Sequence, residues 1–255
     1  MSRDLDDTQR TQEAQYEYPY HHLPRVEDGH FTQVQYWSWG LQYLGGMEVV
    51  MDQLAMTSFD SVLDVGCGDG RFLRELRDEY PDVEVLGVDN SERSVALANA
   101  MNTDIEYISR DILAEQVEIT YDVVTAIEVL EHIEPADLER FLEAIEDALA
   151  DGGLLVLTVP HANKPVSEKH YQHFDGEALT ELLTPRFENL ELIPFDRQSL
   201  FFEGLKLLLG WRGDHYVINT PAILDRMHRL YRTRYLYAES EADCRRIAAV
   251  ARKPS

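Results

Sequence analysis

The sequence predicts an α/β protein built on a doubly wound, mostly parallel sheet. Three observations carry that prediction. Apolar runs of strand type alternate with helical patterns from Ser61 to Val159. A glycine-rich turn, Gly66-Cys67-Gly68-Asp69-Gly70, joins the first run to the first helix. An acidic residue, Asp89, closes the next strand.

Residues 1–17 are polar and acidic with no apolar period, and read as a flexible tail. Residues 18–56 hold a segment dense in aromatics and histidines, too proline-interrupted to be one helix, and then an amphipathic helix at Trp39–Ala55. In that helix Leu41, Leu44, Met47, Val50, Met51 and Leu54 recur every three or four residues.

Strands follow at Ser61–Val65, Val83–Val88, Ile105–Ile108, Tyr121–Ile127 and Leu154–Val159. Helices fall between them at Gly70–Glu79, Glu92–Met101 and Pro135–Ala150, the last ended by an Asp151-Gly152-Gly153 cap. Leu154–Val159 is almost wholly apolar, as in a strand covered on both faces. After Pro160 a polar loop leads to a helix at Glu177–Leu183 and a strand at Phe187–Phe195. Helical patterns at Leu200–Trp211 and Pro221–Tyr231 form an insertion near 197–232, and Cys244–Arg252 is a final strand. The late strands pair as an antiparallel hairpin edge, giving seven strands in one domain over 57–255.

Composition narrows the class. There are 47 acidic against 23 basic residues, a net charge of −24, and the only lysines are Lys164, Lys169, Lys206 and Lys253. Such a surface repels itself unless counterions screen it, which suits a halophile. It opposes polyanion binding, so nucleic acid is excluded as a partner. Two cysteines far apart form no disulfide framework and suit a reducing cytoplasm. No signal peptide or membrane span is legible.

The chemistry concentrates at strand ends. Glycines let a backbone approach a ligand carboxylate at a helix N-terminus. Their G-x-G-x-G spacing differs from a dinucleotide fingerprint, since Arg71 stands where the third glycine would fall. Asp89 lies about 20 residues on, placed to accept ribose hydroxyls. Asp111-Ile112 follows the third strand, where an adenine could be held. Glu128-Val129-Leu130-Glu131-His132 lies just past the fourth. If helical, Glu128, Glu131 and His132 share a face, and two carboxylates with an imidazole can hold a divalent cation such as Mg. A further ligand could come from His161, His170 or His173. The competing reading is a helix-start rim motif without metal.

The series LDVGCGDG, GVDNS, RDI and YDVVTAIEVLEHI resembles the ordered motifs of class I S-adenosylmethionine-dependent methyltransferases, especially the ubiquinone-biosynthesis O-methyltransferase branch. The resemblance implies a Rossmann-like fold with an N-terminal lid, and S-adenosyl-L-methionine as cofactor. It assigns Asp64, Gly66, Gly68, Gly70, Asp89, Asn90, Asp111, Ile112, Ile127 and Glu128 to the cofactor. It makes His132, His161 and His173 the catalytic candidates, with Tyr20, His21, His22 and Trp37 in a substrate lid. The YPYHHLP and KHYQHF stretches are similar to methyltransferases encoded with surface-polysaccharide enzymes. That implies a sugar or lipid-linked glycan acceptor, such as a hexuronic acid of a haloarchaeal surface-layer N-glycan. The alternatives are a quinone-precursor O-methyltransferase and a non-catalytic cofactor-binding accessory protein.

Overall fold

The order in which strands are added to the sheet reverses between the parallel neighbours β3 (Ser61–Val65) and β6 (Tyr121–Ile127), so their carboxyl ends open a crevice at the sheet's rim. The computed structural model describes residues 6–13, 25–27, 30–32, 37–115, 119–208 and 221–255. In chain order the strands are β1 (Arg25–Glu27), β2 (His30–Thr32), β3 (Ser61–Val65), β4 (Glu84–Asp89), β5 (Glu106–Ser109), β6 (Tyr121–Ile127), β7 (Leu149–Pro160), β8 (Glu188–Arg197) and β9 (Cys244–Arg252). The helices are α1 (Asp7–Glu13), α2 (Trp37–Leu54), α3 (Arg71–Glu79), α4 (Glu92–Met101), α5 (Leu138–Ala148), α6 (Gly176–Leu183), α7 (Leu200–Leu208) and α8 (Pro221–Arg234).

Strands β3 to β7 run parallel, and β9 inserts antiparallel between β7 and β8. The predicted seven-stranded sheet with its late hairpin is the observed one. Alternation along each strand feeds two apolar layers. Val62, Val123, Leu154 and Val156 face α2, α3 and α4, while Leu63, Val124, Leu155 and Leu157 face α5 and α6. A third cluster joins Leu41 and Val49 of α2 to Phe202, Met227 and Tyr231 of the insertion, over Phe195 and Ala248. None of the described helices is long and apolar enough to cross a membrane.

Four expectations need correction. The tail contains α1, started by the Asp6 carboxylate, which accepts from Gln9 N at 2.8 Å. Asp6 also accepts from the Tyr171 hydroxyl, which ties α1 to the loop after β7. The short β1–β2 pair lies inside the segment read only as a lid. Residues 135–137 form a 3-10 turn, so α5 begins at Leu138. Asp151-Gly152-Gly153 lies within β7, not after the helix. There the register against β6 shifts, with Tyr121 opposite Leu149 but Val123 opposite Leu154. Gly152 takes φ 72° inside this irregularity, which is why the glycine is there. Trp211, the predicted end of the first insertion helix, lies outside the described residues; α7 is described to Leu208.

Candidate functional site

The glycine turn sits at the carboxyl end of β3, on the crevice. Gly66, Gly68 and Gly70 adopt φ of 74°, 55° and 78°, which side chains resist. Space excludes them as well: a Cβ at Gly66 would stand 2.5 Å from Val129, and one at Gly70 2.6 Å from the Tyr107 ring. Gly66 N and Cys67 N both donate to Val88 O, binding the turn to β4. Tyr107 of β5 donates its hydroxyl to Gly70 O at 3.1 Å and supports the turn from beneath.

Asp89 closes the loop. Its two carboxylate oxygens accept from Gly68 N and Ser91 N, each at 2.9 Å, so the carboxylate plane is fixed at the rim. Asn90 is exposed beside it. Asp64 lies deeper, buried and accepting from Thr125 Oγ1 at 2.7 Å; burial pushes its carboxyl up to about 7. Asp111 accepts from Leu113 N and turns the chain after β5, leaving Ile112 half-buried against the core. Ile127 ends β6, half-buried opposite the turn.

The next segment departs from the predicted helix. Glu128 takes φ 57°, a left-handed conformation uncommon outside glycine, and only Leu130–His132 form a 3-10 turn. Glu128, Glu131 and His132 therefore do not share a helical face. Glu128 accepts from Arg246 Nε at 2.9 Å and Thr158 Oγ1 at 3.3 Å. Burial alone would raise its pKa, but the Arg246 guanidinium holds it below the usual carboxylate range. Arg246 donates its other arm to Asp196, which also accepts from the Tyr231 hydroxyl.

Glu131 points elsewhere. It is 1% exposed, and among the described residues neither carboxylate oxygen has a hydrogen-bond partner. Burial, then the charge of Glu128, pushes its pKa well up. His132 Nε2 stands 3.9 Å from it, and His132 Nδ1 donates to Lys169 O at 2.8 Å. A carbonyl only accepts, so the proton sits on Nδ1 and Nε2 carries the lone pair. The same logic runs through the loop after β7. His173 Nδ1 donates to Lys164 O, so His173 Nε2 accepts from His170 Nδ1 at 2.7 Å, leaving the lone pair of His170 on Nε2. Burial is the main cause keeping both rings neutral, with His132 held down to about 4. Glu131, His132 and His170 offer one ligand atom each, all within 4.8 Å of one another.

The predicted residues thus separate. His132 stands in this cluster. His173 lies behind it and orients His170, which takes the place expected of His173. His161 is buried with both ring nitrogens engaged, by Glu241 at 3.2 Å and Asn163 N at 3.0 Å, so it fastens the loop and offers no lone pair to a substrate. Tyr20, His21 and His22 lie outside the described residues; Trp37 begins α2, and its side chain is not described. Tyr107, Arg246 and Lys164 were missed. Of these, Arg246 alone carried a signal, as a charge beside Arg245 at the head of the otherwise apolar strand pattern CRRIAAVAR.

A family model described as a methyltransferase domain matches residues 7–197. The chain is 33% identical over 108 residues to a ubiquinone biosynthesis O-methyltransferase of Idiomarina loihiensis, covering 40% of this chain and 43% of that protein. It is 26% identical over 178 residues to pavine N-methyltransferase of Thalictrum flavum subsp. glaucum, covering 68% and 46%. The chain thus spans less than half the length of either relative. Among solved structures, N-methyltransferase NodS from Bradyrhizobium japonicum, in complex with S-adenosyl-L-homocysteine, superposes with a TM-score of 0.61 at 16% identity, covering 98% of this chain and 100% of that one. A methyltransferase from Archaeoglobus fulgidus gives 0.56 at 19% identity, covering 84% and 98%. At these identities the likeness is one of fold.

Proposed function

The chain belongs to the class I S-adenosylmethionine-dependent methyltransferases, and from that membership we propose that it methylates a hydroxyl oxygen of a small acceptor at the Glu131–His132–His170 cluster. Bound S-adenosylmethionine supplies an electrophilic methyl group for in-line displacement, a step that rests chiefly on alignment. The turn at Gly66–Gly70 would hold the methionine end, Asp89 the ribose, and Asp111 with Ile112 the adenine. The fixed Asp89 carboxylate and the left-handed glycines fit that ligand.

One observation carries the choice of a hydroxyl: a buried carboxyl with no hydrogen-bond partner among the described residues stands beside two neutral imidazoles, one oriented by the Lys169 carbonyl and the other by His173. A hydroxyl, unlike a carboxylate, must lose a proton to become a nucleophile. His132 Nε2 can take that proton. The same three side chains fit a divalent cation, whose imidazole ligands usually donate their other N–H to a carbonyl. Two nitrogens and one oxygen suit Mn, Fe or Zn better than the Mg expected from sequence. When bound, the cation would lower the pKa of the acceptor hydroxyl.

Sugars are the first acceptor class and quinone precursors the second. The test is transfer of labelled methyl to polyols and catechols, before and after chelation, with metal added back. A product methylated on nitrogen or carbon sinks the hydroxyl reading. Chelator-insensitive turnover leaves His132 as the base and removes the metal. Cofactor binding without any transfer would favour the accessory protein.

The net charge of −24 and two free, buried cysteines support a salt-rich cytoplasm. An unfolding midpoint that fails to rise between low and molar KCl would remove the halophile.

A further inference from the structure

Half of the large apolar side chains left exposed among the described residues belong to one nine-residue helix, α7. Leu200 is 93% exposed, Phe201 68%, Leu207 58% and Leu208 82%. On a helix these four fall within about 120° of the circumference, with Gly204 at their centre. A Cβ at Gly204 would meet no described atom within 4 Å, so nothing described lies over the middle of that face. The opposite side carries Phe202 and Leu205, which pack into the third apolar cluster. α7 is thus apolar on both sides, and its outer side stands in water. Soluble surfaces seldom keep such a patch without a partner.

Charge in this part of the chain is inverted. Residues 200–234 carry six basic and three acidic side chains, whereas the remainder carries 17 basic and 44 acidic ones. His228 and Arg232 tie α8 to Glu48 and Asp52 of α2, while Arg226 and Arg229 of α8 are exposed. The two helices are neighbours, since the Phe202 and Tyr231 rings stand 5.8 Å apart. An apolar helix face close to exposed arginines is the combination that settles at the headgroup level of a bilayer. Topology fixes where the insertion sits. β8 runs parallel to β7, because each is antiparallel to β9. The carboxyl end of β8, from which α7 follows, therefore lies on the same edge of the sheet as the crevice.

We infer that the α7–α8 insertion docks on an anionic lipid surface, with the outer face of α7 among the headgroups and the α8 arginines against lipid phosphates. A second copy of the chain fits less well. A two-fold interface presents the same patch from both sides, so the basic insertion would meet itself. The rest of the chain, at −27, is repelled by the same lipid surface, which orients the molecule insertion first. The crevice edge then faces the bilayer, where an acceptor carried on a lipid would reach it.

The test is co-flotation of the full chain with vesicles, at the lowest KCl concentration that keeps it folded by circular dichroism. One set of vesicles mixes phosphatidylglycerol with phosphatidylcholine; the other is phosphatidylcholine alone. The wild type is compared with two double variants at exposed positions, Leu200→Asn/Leu208→Asn and Arg226→Glu/Arg229→Glu. Both should keep the wild-type melting temperature and affinity for S-adenosylhomocysteine, which shows that the fold is intact. The wild type should bind the mixed vesicles about tenfold better than the neutral ones. The leucine variant should lose about tenfold or more of that binding. The arginine variant should bind both vesicles alike. A wild type that stays soluble, or that binds both vesicles equally, overturns the inference. So does a leucine variant that binds as the wild type does. A wild-type dimer that ignores vesicles, and that the leucine variant dissociates in sedimentation velocity, would assign the face to a second copy and overturn it as well.

Discussion

The two halves of the crevice are built by opposite means. On the β3–β4 side the parts are close in sequence and held by backbone groups: Gly66 and Cys67 donate to Val88, and Asp89 receives Gly68 and Ser91. On the β6–β7 side the parts come from Glu128–His132, the loop at 161–174, Asp196 and Arg246, and side-chain charges hold them. The first half is finished before any ligand arrives. The second keeps, among the described residues, a buried carboxyl at Glu131 without a hydrogen-bond partner. A pocket for a constant cofactor can be fully satisfied by the fold, whereas a pocket for chemistry holds polar groups in reserve.

The largest effect that probes this contrast comes from Arg246→Met. It strands Glu128 and Asp196 as buried charges, and urea unfolding should show a loss of about 3–5 kcal/mol. A loss below about 1 kcal/mol would show that the charge clamp does not hold the β6–β7 side. Asp89→Ala should weaken S-adenosylhomocysteine binding about a hundredfold by calorimetry, since it removes charged hydrogen bonds and unfastens the glycine turn. An unchanged affinity would break the assignment of that half to the cofactor.

Glu131→Met sharpens the contrast in the opposite direction. Replacing an unpartnered buried carboxylate by an apolar side chain of similar size should raise the unfolding midpoint by about 2–4 °C. Methyl transfer should fall about a hundredfold in the same variant. A lowered midpoint would mean that Glu131 is a structural residue. A further effect, read in pH dependence, is expected at Asp64, whose carboxyl is raised to about 7 by burial. The folded state then holds this proton more tightly than the unfolded one. Its contribution to stability is fully present below the unfolded value of 3.8 and is lost as pH rises towards 7. Asp64→Asn should flatten the decline in stability between about pH 5 and 7; an unaltered slope would assign the decline to other groups.

The same contrast explains what the sequence revealed. Ser61–Val65, Glu92–Met101, Tyr121–Ile127 and Cys244–Arg252 have the predicted bounds, because each states its period and its ends within a few residues. The glycine turn and Asp89 were legible for the same reason. Glu128 was misplaced because its orientation is set by Arg246, far along the chain, and no local pattern encodes a left-handed glutamate. His161 and His170 look alike in sequence; only the bonds each ring makes separate a fastener from a ligand. The break in β7 was hidden because Gly152-Gly153 serves a strand irregularity as well as it serves a helix cap.

The position of β9 between β7 and β8 has a consequence for synthesis. Cys244–Arg252 is synthesised after every other strand of the described seven-stranded sheet, although it lies inside that sheet rather than at its margin. A nascent chain can form the whole β5-β4-β3-β6-β7 layer and its glycine turn while this segment is still in the exit tunnel. Until it arrives, β7 presents a row of unpaired amides and carbonyls along an apolar strand, which invites pairing with another chain. A product that stops short of Cys244 is therefore not a weakened enzyme but an aggregation hazard, and quality control should meet it as one.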